Sequence, residues 1–74
     1  MIEQMKEIIL QYVDVDENSI VPEARFIEDL GFNSYDFMSV LGEFEEKFGV
    51  TVNETDIINI QTVGEAAEYI NSLR

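Results

Sequence analysis

The sequence predicts an all-α fold: three main helices and one short one, packed as a small four-helix bundle with a long first loop. Three observations carry this. Apolar residues recur at helical spacing in three separate stretches. Helix start and stop residues fall at the borders of those stretches. No stretch alternates like a half-buried strand, since Val50-Thr51-Val52 is β-prone but too short.

Each element has its own signal. Ile2, Met5, Ile8, Ile9, Tyr12 and Val13 form an amphipathic stripe. It stops where Asp14, Asp16, Asn18 and Ser19 cluster, residues that bond locally and break helices. No period holds from there to Asn33, and Pro22 and Gly31 mark turns. A connection of about twenty residues is unusual in so small a domain unless something holds it. Ile20, Phe26, Ile27, Leu30 and Phe32 are the expected pins across the core. The second helix reads from about Ser34 to Phe48, with Phe37, Val40, Leu41, Phe44 and Phe48 on one face. Ser34 is the expected N-cap, Asp36 suits the positive end of the helix, and Gly49 supplies the stop. Tyr35, Ser39, Gly42 and Glu46 fall on the opposite, water-facing side. A short piece follows from Asn53, its cap, to about Ile58. The last helix opens with the capping box Thr62-x-x-Glu65 and buries Val63, Ala66, Ala67, Ile70 and Leu73.

Composition narrows the chemistry. With 74 residues, the chain is read as one domain, residues 1–74, with a single small core. Sixteen Asp/Glu against four Lys/Arg leave a formal charge of −12. That balance argues against nucleic-acid binding and against docking to an anionic membrane, and it favours basic partner surfaces. With no Cys and no His, there is no thiolate nucleophile, imidazole base or Cys/His zinc site. An enzyme is not expected, and neither is a metal centre. The N-terminal stretch is too interrupted by Glu and Lys for a signal peptide, and no apolar run reaches membrane-spanning length, so a cytoplasmic protein is expected.

Asp14-Val-Asp16-Glu-Asn18 looks like the opening of a calcium loop, but Ser19 and Arg25 stand where an EF-hand needs Gly and Glu. It reads as a solvated turn. The five phenylalanines could line a ligand cavity, yet at helical spacing they read as core.

The informative segment runs from Phe26 through Asp36, where a long loop delivers Ser34 to the start of a helix beside Tyr35. Asp29-Leu30-Gly31-Phe32-Asn33-Ser34-Tyr35 resembles the acyl carrier protein signature Asp-Leu-Gly-x-Asp-Ser-Leu. Ile20, Pro22, Phe26, the stretch Glu43 to Phe48 and Thr62-Val63 extend the resemblance over almost the whole chain. It implies a four-helix carrier domain with covalent 4′-phosphopantetheine on Ser34, installed by a separate phosphopantetheinyl transferase. The arm's thiol, which a chain without cysteine lacks, would hold acyl intermediates as thioesters. The implied partners are acyl-transferring, condensing and processing enzymes with basic docking patches, and the implied state is a monomer.

By the same resemblance, the docking face is Asn33, Tyr35, Asp36, Met38, Ser39, Gly42, Glu43 and Glu46, joined by Val52 and Ile57. Two residues depart from the signature: Asn33 replaces its Asp and Tyr35 its Leu. Asn33 keeps the turn and capping chemistry but removes a charge, and Tyr35 adds bulk and a hydroxyl. The implied pathway is either fatty-acid synthesis or a dedicated acyl, polyketide or aminoacyl pathway, and these two changes add weight to the dedicated one. The alternative is an unmodified acidic scaffold domain that keeps the carrier fold and binds a basic partner.

Overall fold

The computed structural model describes all 74 residues. Helix α1 spans Ile2–Ile9, α2 spans Ser34–Phe48 and α3 spans Val63–Leu73. Two 3-10 turns, Glu17–Ser19 and Glu54–Asn59, complete the helical elements. The only β-type pairing is an isolated bridge between Arg25 and Thr62.

Helix α1 is shorter than its apolar stripe. Beyond Ile9 the chain tightens, with Gln11 N donating to Ile8 O at 3.1 Å and Tyr12 N to Ile9 O at 2.9 Å. This tighter winding still leaves Tyr12 and Val13 packed against the core, which is why the stripe persists past the helix. The short element near residue 55 is 3-10 rather than α, capped by Asn53 Oδ1 on Thr55 N at 3.0 Å. Helix α3 has both arms of the expected capping box: Glu65 N donates to Thr62 Oγ1, and Thr62 N donates to Glu65 Oε1. Two such bonds to Glu65, from Gln61 N and Thr62 N, hold its carboxyl below the usual carboxylate range.

Sixteen side chains are buried, and all are apolar. Phe26 is fully buried among them, edge-on to Phe32 at 5.5 Å between centroids and tilted against Phe37 at 5.2 Å. Phe44, Val40 and Leu41 bring the apolar face of α2 into the same cluster, and Val63, Ala66 and Ile70 bring that of α3. Two residues expected inside are not. Ile27 is 51% exposed, because Phe26 takes the inward position beside it, and Leu73 is 40% exposed at the frayed end of α3.

The long loop is held, as its length demanded, but by more than side chains. Ile20, Ala24, Phe26, Leu30 and Phe32 are buried. Three backbone bonds also fasten it to the start of α3: Phe26 N to Gln61 O, Val63 N to Ala24 O and Gly64 N to Pro22 O, at 2.8–2.9 Å. Arg25 adds a local clamp, its backbone N and Nε both donating to Asp29 Oδ2. Those two bonds depress the Asp29 carboxyl. Gly31, at φ +82°, makes the last turn before α2, a conformation that side chains with a Cβ avoid.

Candidate functional site

The site lies where this fastened loop hands the chain to α2. Asn33, with extended backbone, is the N-cap: its Oδ1 accepts from Asp36 N at 2.7 Å. The expected cap, Ser34, is instead the first helical residue. The register differs by one because the residue before the serine is itself a strong capping type, and it meets the third N–H of the helix. Ser34 is thereby released, with an exposed side chain whose hydroxyl bonds to no protein atom. Three other hydroxyls are committed: Thr62 caps α3, Thr55 donates to Asn53, and Ser72 donates to Tyr69 O. Ser34 differs from the remaining serines in standing at the start of α2.

The first N–H groups of a helix have no acceptor a turn earlier. Here Asp36 N is taken by the cap and Phe37 N by Asn33 O, which leaves the N–H groups of Ser34 and Tyr35 free. Together with the positive end of a fifteen-residue helix, they suit an anionic group mounted on Ser34. No basic side chain capable of activating the hydroxyl is paired with it.

The expected docking residues divide into three groups. Tyr35, at 80% exposure, Met38, at 49%, and Glu46 are open to solvent along α2, while Ser39 and Gly42 between them are half-buried. Asp36 and Glu43 turn towards the end of α1. There the Tyr12 hydroxyl is pushed up to about 12, first by the adjacent Glu43 carboxylate, then by burial and by the charge of Asp36. Val52 and Ile57 lie on the other flank. Val52 N donates to Glu45 Oε2 at 2.6 Å, and Ile57 packs against the core. The exposed apolar residue of that flank is Ile58, at 80%, which the sequence reading passed over. Only the 3-10 winding reveals it, by turning Ile58 outward where Ile57 turns in. Its turn is tied to α3 through Tyr69, whose hydroxyl donates to Asp56 Oδ2 at 2.7 Å and accepts from Asn53 N at 3.0 Å.

A cavity of about 200 Å³ opens one helical turn from Ser34, lined by Phe26, Ile27, Phe37 and Ile60, with Arg25, Glu28 and Gln61 at its polar edge. Two of the phenylalanines read as plain core therefore also line a void. Their spacing could not distinguish the two roles.

The family model for the phosphopantetheine attachment site matches residues 3–70. The chain belongs to this family. Its members are carriers, not catalysts, and their prosthetic group is a covalent 4′-phosphopantetheine. The fold is also similar to the solved structure of an acyl carrier protein from Enterococcus faecalis, at 27% identity and a TM-score of 0.84, covering 99% of this chain and 92% of that one. The features at the start of α2 fit the group: an unencumbered hydroxyl, two free backbone donors and a helix pointing its positive end outward. As a carrier domain, the chain works through enzymes that modify and load it. No helix is long and apolar enough to cross a membrane.

Proposed function

We propose that Ser34 is the attachment point and that the chain is an acyl carrier of the cytoplasm. Its Oγ attacks the pantetheine-side phosphorus of coenzyme A, the pyrophosphate bond breaks, and adenosine 3′,5′-bisphosphate leaves. A phosphopantetheinyl transferase supplies the base and the Mg²⁺, because this chain has no histidine and no basic group at the site. The installed arm supplies a thiol for thioester chemistry. What the protein's own residues contribute is presentation: Asn33 ends the loop, α2 holds Ser34 outward, and the surrounding acids attract basic partner enzymes.

The observation that carries this reading is the free, exposed hydroxyl of Ser34 at the first helical position, beside an apolar cavity. Apolar cavities of about 150 Å³ admit a benzene ring, so a void of about 200 Å³ suits a short acyl chain or one small ring. That size, with Asn33 and Tyr35 in the signature, favours a specialised acyl, polyketide or aminoacyl pathway over long-chain fatty-acid synthesis. The test is intact-mass spectrometry after incubating the apo protein with coenzyme A, Mg²⁺ and a broad-specificity transferase. One arm is gained by the wild type and none by Ser34→Ala. An unmodified wild type, or a gain that persists in Ser34→Ala, refutes the assignment.

A further inference from the structure

We propose that the side-chain amide of Asn33 donates a hydrogen bond to the phosphodiester on Ser34 and so fixes the root of the arm; this rests on the assignment of Ser34 above. The orientation of the amide is set by its cap. Asp36 N is a donor, so the atom facing it at 2.7 Å must be the carbonyl oxygen Oδ1. The amide is planar, and its NH2 is therefore held at the opposite corner of the same rigid group. Asn33 is exposed, and its Nδ2 bonds to no protein atom. Asn33 and Ser34 are neighbours at the start of α2, with Cα atoms about 3.8 Å apart, so a phosphodiester on Ser34 would lie within reach of the Asn33 side chain.

The charge of the site gives this donor its consequence. The family signature has Asp here, which would cap Asp36 N equally well but place a second anion beside the phosphodiester. Asn33 removes that repulsion and adds a neutral donor, in a chain already carrying a charge of −12 and with Asp36 in the same helical turn. Ser34 N–H, Tyr35 N–H and the Asn33 amide NH2 have no protein acceptor, and these three donors would be available to a phosphodiester on Ser34. Asn33 acts here as a positioning residue: it holds the arm's first bond and takes no part in the chemistry at the thiol.

The experiment compares ¹⁵N-labelled apo and holo protein by NMR, with holo protein made by transferase and coenzyme A and verified by mass. Asn53 is the internal reference, since its Oδ1 likewise accepts from a backbone N–H, that of Thr55, and its amide stands far from Ser34 in sequence. On loading, one Asn33 Nδ2 proton moves downfield and exchanges more slowly with solvent, while the Asn53 protons do neither. The ³¹P resonance also moves in holo Asn33→Asp and Asn33→Ser, both of which keep a capping oxygen and so keep the helix. A verified holo protein whose Asn33 amide keeps its apo shift and exchange rate overturns the inference, as does one ³¹P position common to all three proteins. A wild type that gains no mass overturns the Ser34 assignment and this inference with it.

Discussion

Gly42 and Gly64 are both helical, and helix propensity alone assigns the same sign to replacing either with alanine. Their surroundings give opposite signs. A Cβ added at Gly42, mid-helix in α2, meets nothing within 4 Å. Alanine there recovers the glycine penalty of about 1 kcal/mol, which in a domain of this size raises Tm by about 4–8 °C. A Cβ added at Gly64 stands 2.9 Å from Pro22 O and 3.2 Å from Pro22 Cβ. Those atoms belong to a loop held at this point by the Gly64 N–Pro22 O bond and its two neighbours, so they cannot yield without loosening the register of all three. Overpacking of this kind costs roughly 1–3 kcal/mol. Gly64 is only the second residue of α3, where the recovered propensity is small, so a net loss of about 1–2 kcal/mol remains. Urea and thermal melts by far-UV circular dichroism on both variants decide the matter. If Gly64→Ala melts at or above the wild type, the loop is not fastened to α3 as described. If Gly42→Ala fails to stabilise, the outer face of α2 is not free.

Four further outcomes follow from the same structure. Asn33→Ala loses the bond to Asp36 N and about 1 kcal/mol, whereas Ser34→Ala stays within about 0.5 kcal/mol of the wild type; the reverse order in melts would return the cap to Ser34. The Tyr12 hydroxyl, raised from its ordinary value near 10 to about 12, stabilises the folded state fully below pH 10, and this contribution is lost as pH rises towards 12. Tyr12→Phe should therefore lose stability less steeply between those pH values, and parallel curves would remove the Glu43 interaction. Added NaCl or MgCl2 should raise Tm by screening the charge of −12, and a Tm flat across ionic strength would contradict this. Loaded with saturated acyl groups of increasing length, the holo protein should gain stability up to on the order of eight carbons and then level off, by comparison with the volume that admits benzene; a rise continuing to long chains would mean that the cavity near Phe37 enlarges to follow them.

The helices were legible because their signals are local. The stripe of α2, the stop at Gly49 and the capping box at Thr62 each depend on residues within a turn of one another, and the structure has them as read. What the sequence left open depends on contacts between distant residues. Nothing around Ile27 says that it will point to solvent while Phe26 points in, because that choice is made by Phe32 and Phe37 packing on Phe26. Nor does Ile57-Ile58 say which isoleucine turns outward. The ties from Tyr69 to Asp56 and Asn53, at sequence separations of 13 and 16, hold the 3-10 turn that decides it.

At the proposed attachment point the sequence reading and the structure differ in register, with Asn33 rather than Ser34 as the cap, and the difference bears on the proposed function. Read as the cap, Ser34 would give one lone pair of its oxygen to a backbone N–H, which draws electron density from the oxygen, turns it towards the helix and makes it a poorer nucleophile for an incoming phosphorus. The residue that releases it is Asn33, one of the two departures from the family signature. An N-cap oxygen satisfies one first-turn N–H at a time, so a strong capping side chain immediately before the serine takes that duty and leaves the hydroxyl unbonded. The pairing of a capping residue with the serine after it therefore has a physical reason that Asp or Asn can meet. Replacing Asn33 by a residue that cannot cap should shift the duty to Ser34 and slow loading, even though nothing at the hydroxyl itself has changed. Transferase rates for Asn33→Ala against Asn33→Ser measure this: slow loading confined to the alanine variant supports the argument, and equal rates refute it.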